Sequence, residues 1–151
     1  MRWIARCPAA FTAVLSFAAA AEVTFTREKL ADAKRQVKCE LTFSGERNAV
    51  VVTVASRTVA AIPYGQIRSF SYEYATHHRV KEGAIVMVAS LGAGAIVMLT
   101  QSKTHWFTVN YVEGGATREL VLRLDKKDYR AVIDAARMKA RREVRFVPEE
   151  N

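Results

Sequence analysis

Residues Arg118–Leu124, with the sequence RELVLRL, alternate between polar and apolar side chains. An alternation with a period of two is typical of a β-strand that buries one face, here the face of the three leucines. Asp125 follows at once, and its side chain can cap a helix by accepting from the free amides of the first turn. Apolar residues then recur at helical spacing from Tyr129 to Ala140. The sequence therefore predicts a late strand that leads directly into one C-terminal amphipathic helix.

Strand patterns also occur before this strand and helix, and one short pattern follows them. They cover Val37–Phe43, Ala49–Val54, Thr58–Ile62, Gln66–Tyr74, Thr104–Tyr111 and Val144–Val147. In Gln66–Tyr74 we expect the aromatic face to be buried, and we expect Gly114-Gly115 to form a hairpin turn. Strands followed by one helix indicate an α+β fold: a small antiparallel sheet or partly open barrel capped by the C-terminal helix.

Some of these segments carry a resemblance to a known family. They are VKCELTF (37–43), NAVVVTV (48–54), RTVAAIPY (57–64), the phrase IPYGQI (62–67), and ELVLRL (119–124) with its helix opening DKKDY (125–129). Residues 37–139 resemble the pleckstrin-homology-like superfamily, especially its bacterial PH and GRAM-like members. The resemblance implies a bent, seven-stranded sheet capped by the helix, which binds peptides, proteins or lipid headgroups and has no catalytic activity.

The chain departs from that family in two places. Lipid-binding members carry a cluster of lysines and arginines between their first two strands, whereas residues 44–48 contain only Arg47. The segment between Tyr74 and Thr104 is also longer and more apolar than an ordinary connection. Within it, SKTHW (102–106) resembles a group of exported bacterial proteins.

The N-terminus has the pattern of a secretory signal peptide. Arg2 and Arg6 precede a short apolar core at 9–17, and small residues run from Ala18 to Ala21. We expect cleavage after Ala21 and a location in the periplasm or cell envelope. The remaining divisions are an N-terminal tether at 22–36, in which a short strand or helical turn is also open, a PH-like domain at 37–147, and a tail at 148–151.

Residues 83–99, GAIVMVASLGAGAIVML, form the most unusual segment, with seventeen residues and no charge. The segment could be one spanning helix, although about 25 Å of helix is at the lower limit for a bilayer. It could also fold back at Leu91–Gly94, or form one buried helix. A spanning segment would put the strands on its two sides across the membrane from each other. The folded-back structure is therefore our prediction, because it lets those strands share one sheet.

Basic and aromatic residues flank this segment. If it folds back, its two ends come together and form a basic collar that favours anionic lipid headgroups. The candidate lipid- or partner-binding residues are His77, His78, Arg79, Lys81, Leu91, Lys103, His105 and Trp106. Solvated charges at strand ends are the simpler alternative for the basic residues.

Catalytic and metal sites are not expected. Adjacent strand residues point to opposite faces, so His77 and His78 cannot both face His105. The chain has no GxSxG turn, and GAG (92–94) supplies only part of a dinucleotide loop. Cys39 lies on an apolar strand face, which favours a buried, unreactive thiol. No cofactor is predicted.

The formal charge of +8 would suit nucleic acid, but the export signal argues against that partner. We therefore expect a non-catalytic binding module in the bacterial envelope. Its partner would be a protein or peptide, with self-association open, or an anionic membrane surface that the 83–99 segment docks on.

Overall fold

The computed structural model describes residues 21–31, 36–76, 85–86 and 103–148, with only the backbone at 85–86. These residues form nine strands, a short 3-10 helix and one α-helix. The strands are β1 (Val23–Ala31), β2 (Gln36–Ser44), β3 (Ala49–Val54), β4 (Arg57–Pro63), β5 (Ile67–Ala75), β6 (Ile85–Val86), β7 (Thr104–Glu113), β8 (Ala116–Leu124) and β9 (Val144–Val147). The 3-10 helix covers Tyr64–Gln66, and the α-helix, α1, covers Tyr129–Ala140.

The strands form one open, mixed sheet with the order β4-β3-β2-β1-β8-β7-β5-β9, in which β6 pairs separately with β8. The α+β prediction with one helix after the late strands is confirmed. The purely antiparallel alternative is wrong, because β9 runs parallel to β5 and β6 runs parallel to β8. Alternation along a strand reports its buried face and carries no information on the direction of its neighbour, so the sequence pattern could not reveal this.

A short connection forces the sheet to bend. β4 and β5 are six strand positions apart in the sheet, which is about 29 Å in a flat sheet. Only the residues of the 3-10 helix join Pro63 to Ile67, and such a link spans at most about 14 Å. The sheet must therefore curl until these two strands approach each other, and its concave side encloses the core.

The core is one apolar cluster to which β1–β5, β7–β9 and α1 contribute. Its largest fully buried side chains include Phe43, Phe70, Phe107 and Leu122. The stripe of α1 is buried as predicted at Val132, Ile133, Ala136 and Ala140, and Ala135 is buried beside it. The helix thus closes the concave side of the sheet.

Three local predictions are corrected by the structure. The segment 22–36 is not a tether along β1, since this strand lies between β2 and β8 and buries Phe25 and Leu30. The aromatic face of β5 is buried only at Phe70, while Tyr74 is 47% exposed. Pairing with β7 is regular from Ser69 to Ala75, so Phe70, Tyr72 and Tyr74 lie on one face of β5, and burial on that face decreases toward the end of the strand.

The third correction concerns the start of the helix. Asp125 does not cap α1, which begins at Tyr129 after Asp128. Instead the Lys127 amide donates to the Asp125 carboxylate over 2.9 Å, and the amides of Asp128 and Tyr129 donate to the Asp125 carbonyl. Asp125 therefore builds the turn that separates β8 from the helix.

The strands on the two sides of the apolar segment belong to one sheet, as predicted. β5 and β7 pair antiparallel out to their ends, where Ala75 lies opposite Thr104. Residues 76 and 103 therefore leave from neighbouring strands. Most of 83–99 lies outside the described residues, as do residues 1–20. In the part of the chain that the structure describes, no helix is long and apolar enough to cross a membrane.

Candidate functional site: a basic cleft

A cleft of about 290 Å³ opens where the ends of β1, β5, β7 and β8 meet the turn before α1. We call it the basic cleft, because among the described residues that line it five are lysine or arginine and one is acidic. It is lined by Arg27, Lys29, Tyr74, Lys103, Thr104, His105, Arg123, Leu124, Asp125 and Lys126. This excess of positive charge makes the cleft suited to an anionic ligand.

Strand geometry brings these distant residues together. Along β1 the exposed Arg27 and Lys29 alternate with the buried Glu28 and Leu30, so the two cations share the outward face. Lys29 lies opposite Arg123 on β8. The cations of the cleft therefore come from four separate places in the sequence, and only the paired strands make them neighbours.

Two of the arginines are held in place by side-chain partners. Arg27 donates two hydrogen bonds to the Asp128 carboxylate, each 2.9 Å long, in a bidentate ion pair. Arg123 donates to the side-chain oxygen of Gln36 over 2.6 Å. Lys29 and Lys126 are exposed at the same cleft. The two arginines thus hold fixed positions in the cleft, where Asp128 offsets the charge of Arg27, and the exposed lysines add positive charge.

His105 belongs to an aromatic cluster at the cleft. Its Nδ1 atom lies 2.7 Å from the Tyr72 hydroxyl, and its ring stacks on Tyr129 and Tyr74 with centroids 4.2 and 4.7 Å away. Burial lowers the pKa of His105 below its ordinary value, and burial raises the pKa of Tyr72 to about 12. Both groups are therefore neutral at neutral pH. His105 supplies an aromatic surface to the cleft, and the positive charge comes from lysine and arginine.

The buried carboxylate of Glu28 fixes the turn that lines one side of the cleft. Glu28 is fully buried, and its Oε2 atom accepts from the backbone amide of Asp125 over 2.9 Å. Its other oxygen, Oε1, has no hydrogen-bond partner among the described residues. Burial raises the pKa of Glu28 to about 7. This side chain holds the turn that carries Asp125 and Lys126 against β1.

The sequence prediction identified part of this site. Lys103 and His105 line the cleft. Trp106 is 1% exposed, and its indole N–H donates to the Ala75 carbonyl, so it ties β5 to β7. The other candidates lie outside the described residues: His77, His78, Arg79, Lys81 and Leu91.

The sequence analysis missed four of the five cations, namely Arg27, Lys29, Arg123 and Lys126. For β1 the signal was weak: Arg27 and Lys29 are two residues apart, but Glu28 lies between them and a register irregularity follows Phe25. The tether predicted at 22–36 left this spacing unused, because a tether, unlike a strand, has no buried and exposed faces.

Within the described ranges, no three histidine, cysteine or acidic side chains are grouped closely enough to hold a metal ion. Cys39 is buried as predicted, and burial raises the pKa of its thiol to about 12. The comparisons with known proteins give no further indication of function: no protein-family model matches the chain, and no curated protein matches its sequence.

Proposed function

We propose that this protein is a non-catalytic binding module of the bacterial envelope and that it binds an anionic ligand in the basic cleft. The observation that carries the proposal is the composition of the cleft, which gathers five cationic side chains and one carboxylate around about 290 Å³. Asp128 offsets the charge of Arg27, so five cations face two carboxylates, and the remaining positive charges repel one another unless an anion offsets them. The export part of the proposal rests on the signal-peptide pattern of residues 1–21.

The order of the strands supports the relation to PH-like domains. β1–β4 follow one another across the sheet, β5, β7 and β8 follow on the other side of β1, and α1 closes the concave side. The resemblance implies seven strands in a bent sheet capped by the last helix. In this count β1 is the first strand, ahead of the segment 37–43 with which the resemblance begins, and β6 and β9 are additions to the pattern. PH-like domains are binding modules, which agrees with the proposed role.

The chemistry of the cleft supports binding without catalysis. Lysine and arginine dominate its lining, and both hold a full charge at neutral pH. The one carboxylate, Asp125, accepts from the Lys127 amide. His105 is adjacent to the Tyr72 hydroxyl, which at a pKa of about 12 does not act as a base near neutrality.

Sodium tripolyphosphate, a compact polyanion, tests this proposal by isothermal titration calorimetry. We expect binding that weakens with added salt, because exposed charges are screened. The double variant Lys29→Glu/Lys126→Glu should bind tripolyphosphate at least about tenfold more weakly, since two attractive charges become repulsive. Arg47→Glu/Arg57→Glu is the matched control, because it makes the same change in net charge at two exposed residues outside the cleft lining. Equal losses in both variants would show that only net charge matters and would refute the cleft as the site.

A second candidate function is docking on anionic lipid through residues 83–99 and their basic flanks. The observation in its favour is that Lys103, Thr104 and His105 line the cleft while Thr104 pairs with Ala75. The connection that contains the apolar segment therefore leaves β5 and enters β7 beside the cleft. Flotation with phosphatidylglycerol vesicles tests it: Leu91→Asp should abolish flotation and leave tripolyphosphate binding intact. Phosphatidylcholine vesicles are the control, and equal flotation with both lipids would contradict a role for the basic flanks.

A further inference from the structure

β9 lies at one end of the sheet with one side unpaired. Among the described strands its only neighbour is β5, which it meets in parallel register from Phe70 opposite Val144 to Glu73 opposite Val147. The backbone amides and carbonyls on the other side of β9 therefore face outward. An unpaired strand edge is a template on which another extended segment can add hydrogen bonds.

Exposed apolar side chains are concentrated around this edge. Of the large apolar residues in the described part of the chain, four are exposed: Tyr74, Met138, Phe146 and Val147. Three of them lie on β5 and β9, and the fourth lies on α1, which contacts β9. Phe146 is 55% exposed and meets the Tyr72 ring edge-on at 5.5 Å. An added strand would cover this aromatic surface as well as the free backbone groups.

The charge around the edge indicates the chemistry of the occupant. Residues 137–147 contain five lysines or arginines and one glutamate. The Arg137 guanidinium lies over the Phe146 ring, 5.5 Å from its centroid, and Arg145 is exposed on the other face of β9. A strand beside β9 would therefore meet an aromatic surface on one face and a positive charge on the other.

We propose that β9 is the docking edge for an extended partner peptide in which acidic and apolar residues alternate. Side chains of adjacent strands pair face by face, so the apolar residues of the peptide would lie beside Phe146 and its acidic residues beside Arg145. This site shares Tyr74 with the lining of the basic cleft, but it uses a different strand edge and does not depend on the function proposed for the cleft.

Two comparisons favour this occupant. Pairing of β9 with β9 from a second copy would place the Arg145 side chains of both chains on one short pair of strands, and like charges that lie opposite each other destabilise such a pair. The other edge of the sheet, β4, ends in Pro63, which has no amide hydrogen to donate, and its exposed residues include no large apolar side chain. An acidic peptide on β9 is thus favoured over both self-pairing and addition to β4.

Fluorescence anisotropy with a labelled eight-residue peptide of alternating glutamate and valine tests the proposal. We expect saturable binding to the full chain. A peptide of the same sequence with alternate backbone amides methylated should not bind, because it cannot form the strand hydrogen bonds. Arg145→Glu should weaken binding by at least about tenfold and create binding of the matching lysine–valine peptide, because the charge pairing is reversed. Phe146→Ala, which keeps every charge, should weaken binding about threefold or more through lost apolar contact.

Two further variants separate the edge from other basic surfaces. Arg57→Glu on β4 and Lys29→Glu/Lys126→Glu in the basic cleft should both leave peptide affinity unchanged. Loss of affinity in either would place the peptide elsewhere and overturn the proposal. Equal binding of the methylated peptide would reduce the interaction to charge attraction and would overturn it as well. Absence of any binding at millimolar peptide concentration would also overturn the proposal.

Discussion

The buried carboxylate of Glu28 should make the stability of this protein fall as the pH rises. Its pKa is raised from 4.5 to about 7, chiefly by burial and secondarily by the nearby carboxylates of Asp128 and Asp125. Between these two values the folded chain holds the proton more tightly than the unfolded chain. The resulting stabilisation is complete below pH 4.5 and is lost as the pH rises through about 7.

The size of the effect follows from the shift. Each unit of pKa difference is worth about 1.4 kcal/mol, so Glu28 should reduce the free energy of unfolding by about 3 kcal/mol between pH 4.5 and pH 8. Glu28→Gln keeps an oxygen that can accept from the Asp125 amide and removes the titration. The variant should match the natural chain near pH 4.5 and exceed it in stability by about 3 kcal/mol at pH 8.

Urea denaturation of both chains at several pH values gives the free energy of unfolding as a function of pH. Subtracting the values of the natural chain from those of Glu28→Gln removes the contributions of groups that titrate in the same way in both. Glu40→Gln is the matched control, because Glu40 is an exposed carboxylate on β2. The reasoning is refuted if Glu28→Gln and the natural chain differ by the same amount at pH 4.5 and pH 8.

Further predictions concern the turn between β3 and β4, the core and two titratable groups. Ala55 has a φ of +46°, so Ala55→Gly should raise the free energy of unfolding by about 0.5–1 kcal/mol in urea denaturation, and an unchanged midpoint would contradict strain there. Phe107→Ala should lower the free energy of unfolding by about 3–5 kcal/mol, because this buried ring stacks on Phe70 with the ring centroids 5.4 Å apart. A loss under about 1 kcal/mol would place the ring outside the core. The thiol of Cys39 should react with a disulfide reagent only after unfolding, since burial raises its pKa to about 12; fast reaction of the native chain would disprove this. In an NMR titration His105 should gain its proton below pH 6.5, and a midpoint above that value would mean that the ring is not desolvated.

The sequence predicted much of the local structure because alternation is a local property. RELVLRL and VKCELTF became β8 and β2, and Gly114-Gly115 formed the hairpin turn with φ of +58° and +81°. The exposure of Tyr74 could not be predicted in the same way. It follows from the position of Tyr74 at the cleft, where its neighbours come from parts of the chain that lie far away in the sequence.

Most of the basic cleft could not be predicted from local sequence patterns either. Lys103 and His105 were predicted from their position beside the apolar segment, but Arg27 and Arg123 become neighbours only through the pairing of β1 with β8. No local pattern specifies which strands pair. The charge of His105 depends on burial by Tyr72, Tyr74 and Tyr129, which also come from different elements.

The most direct test of the account is a two-dimensional NMR titration of the labelled protein with sodium tripolyphosphate, followed through the backbone amides. The account predicts that the amides of Lys29, Lys103, Arg123 and Lys126 shift together with one binding constant while those of residues 44–48 stay in place. Shifts confined to residues 44–48, or uniform small shifts at every exposed lysine and arginine, would contradict the basic cleft as a binding site.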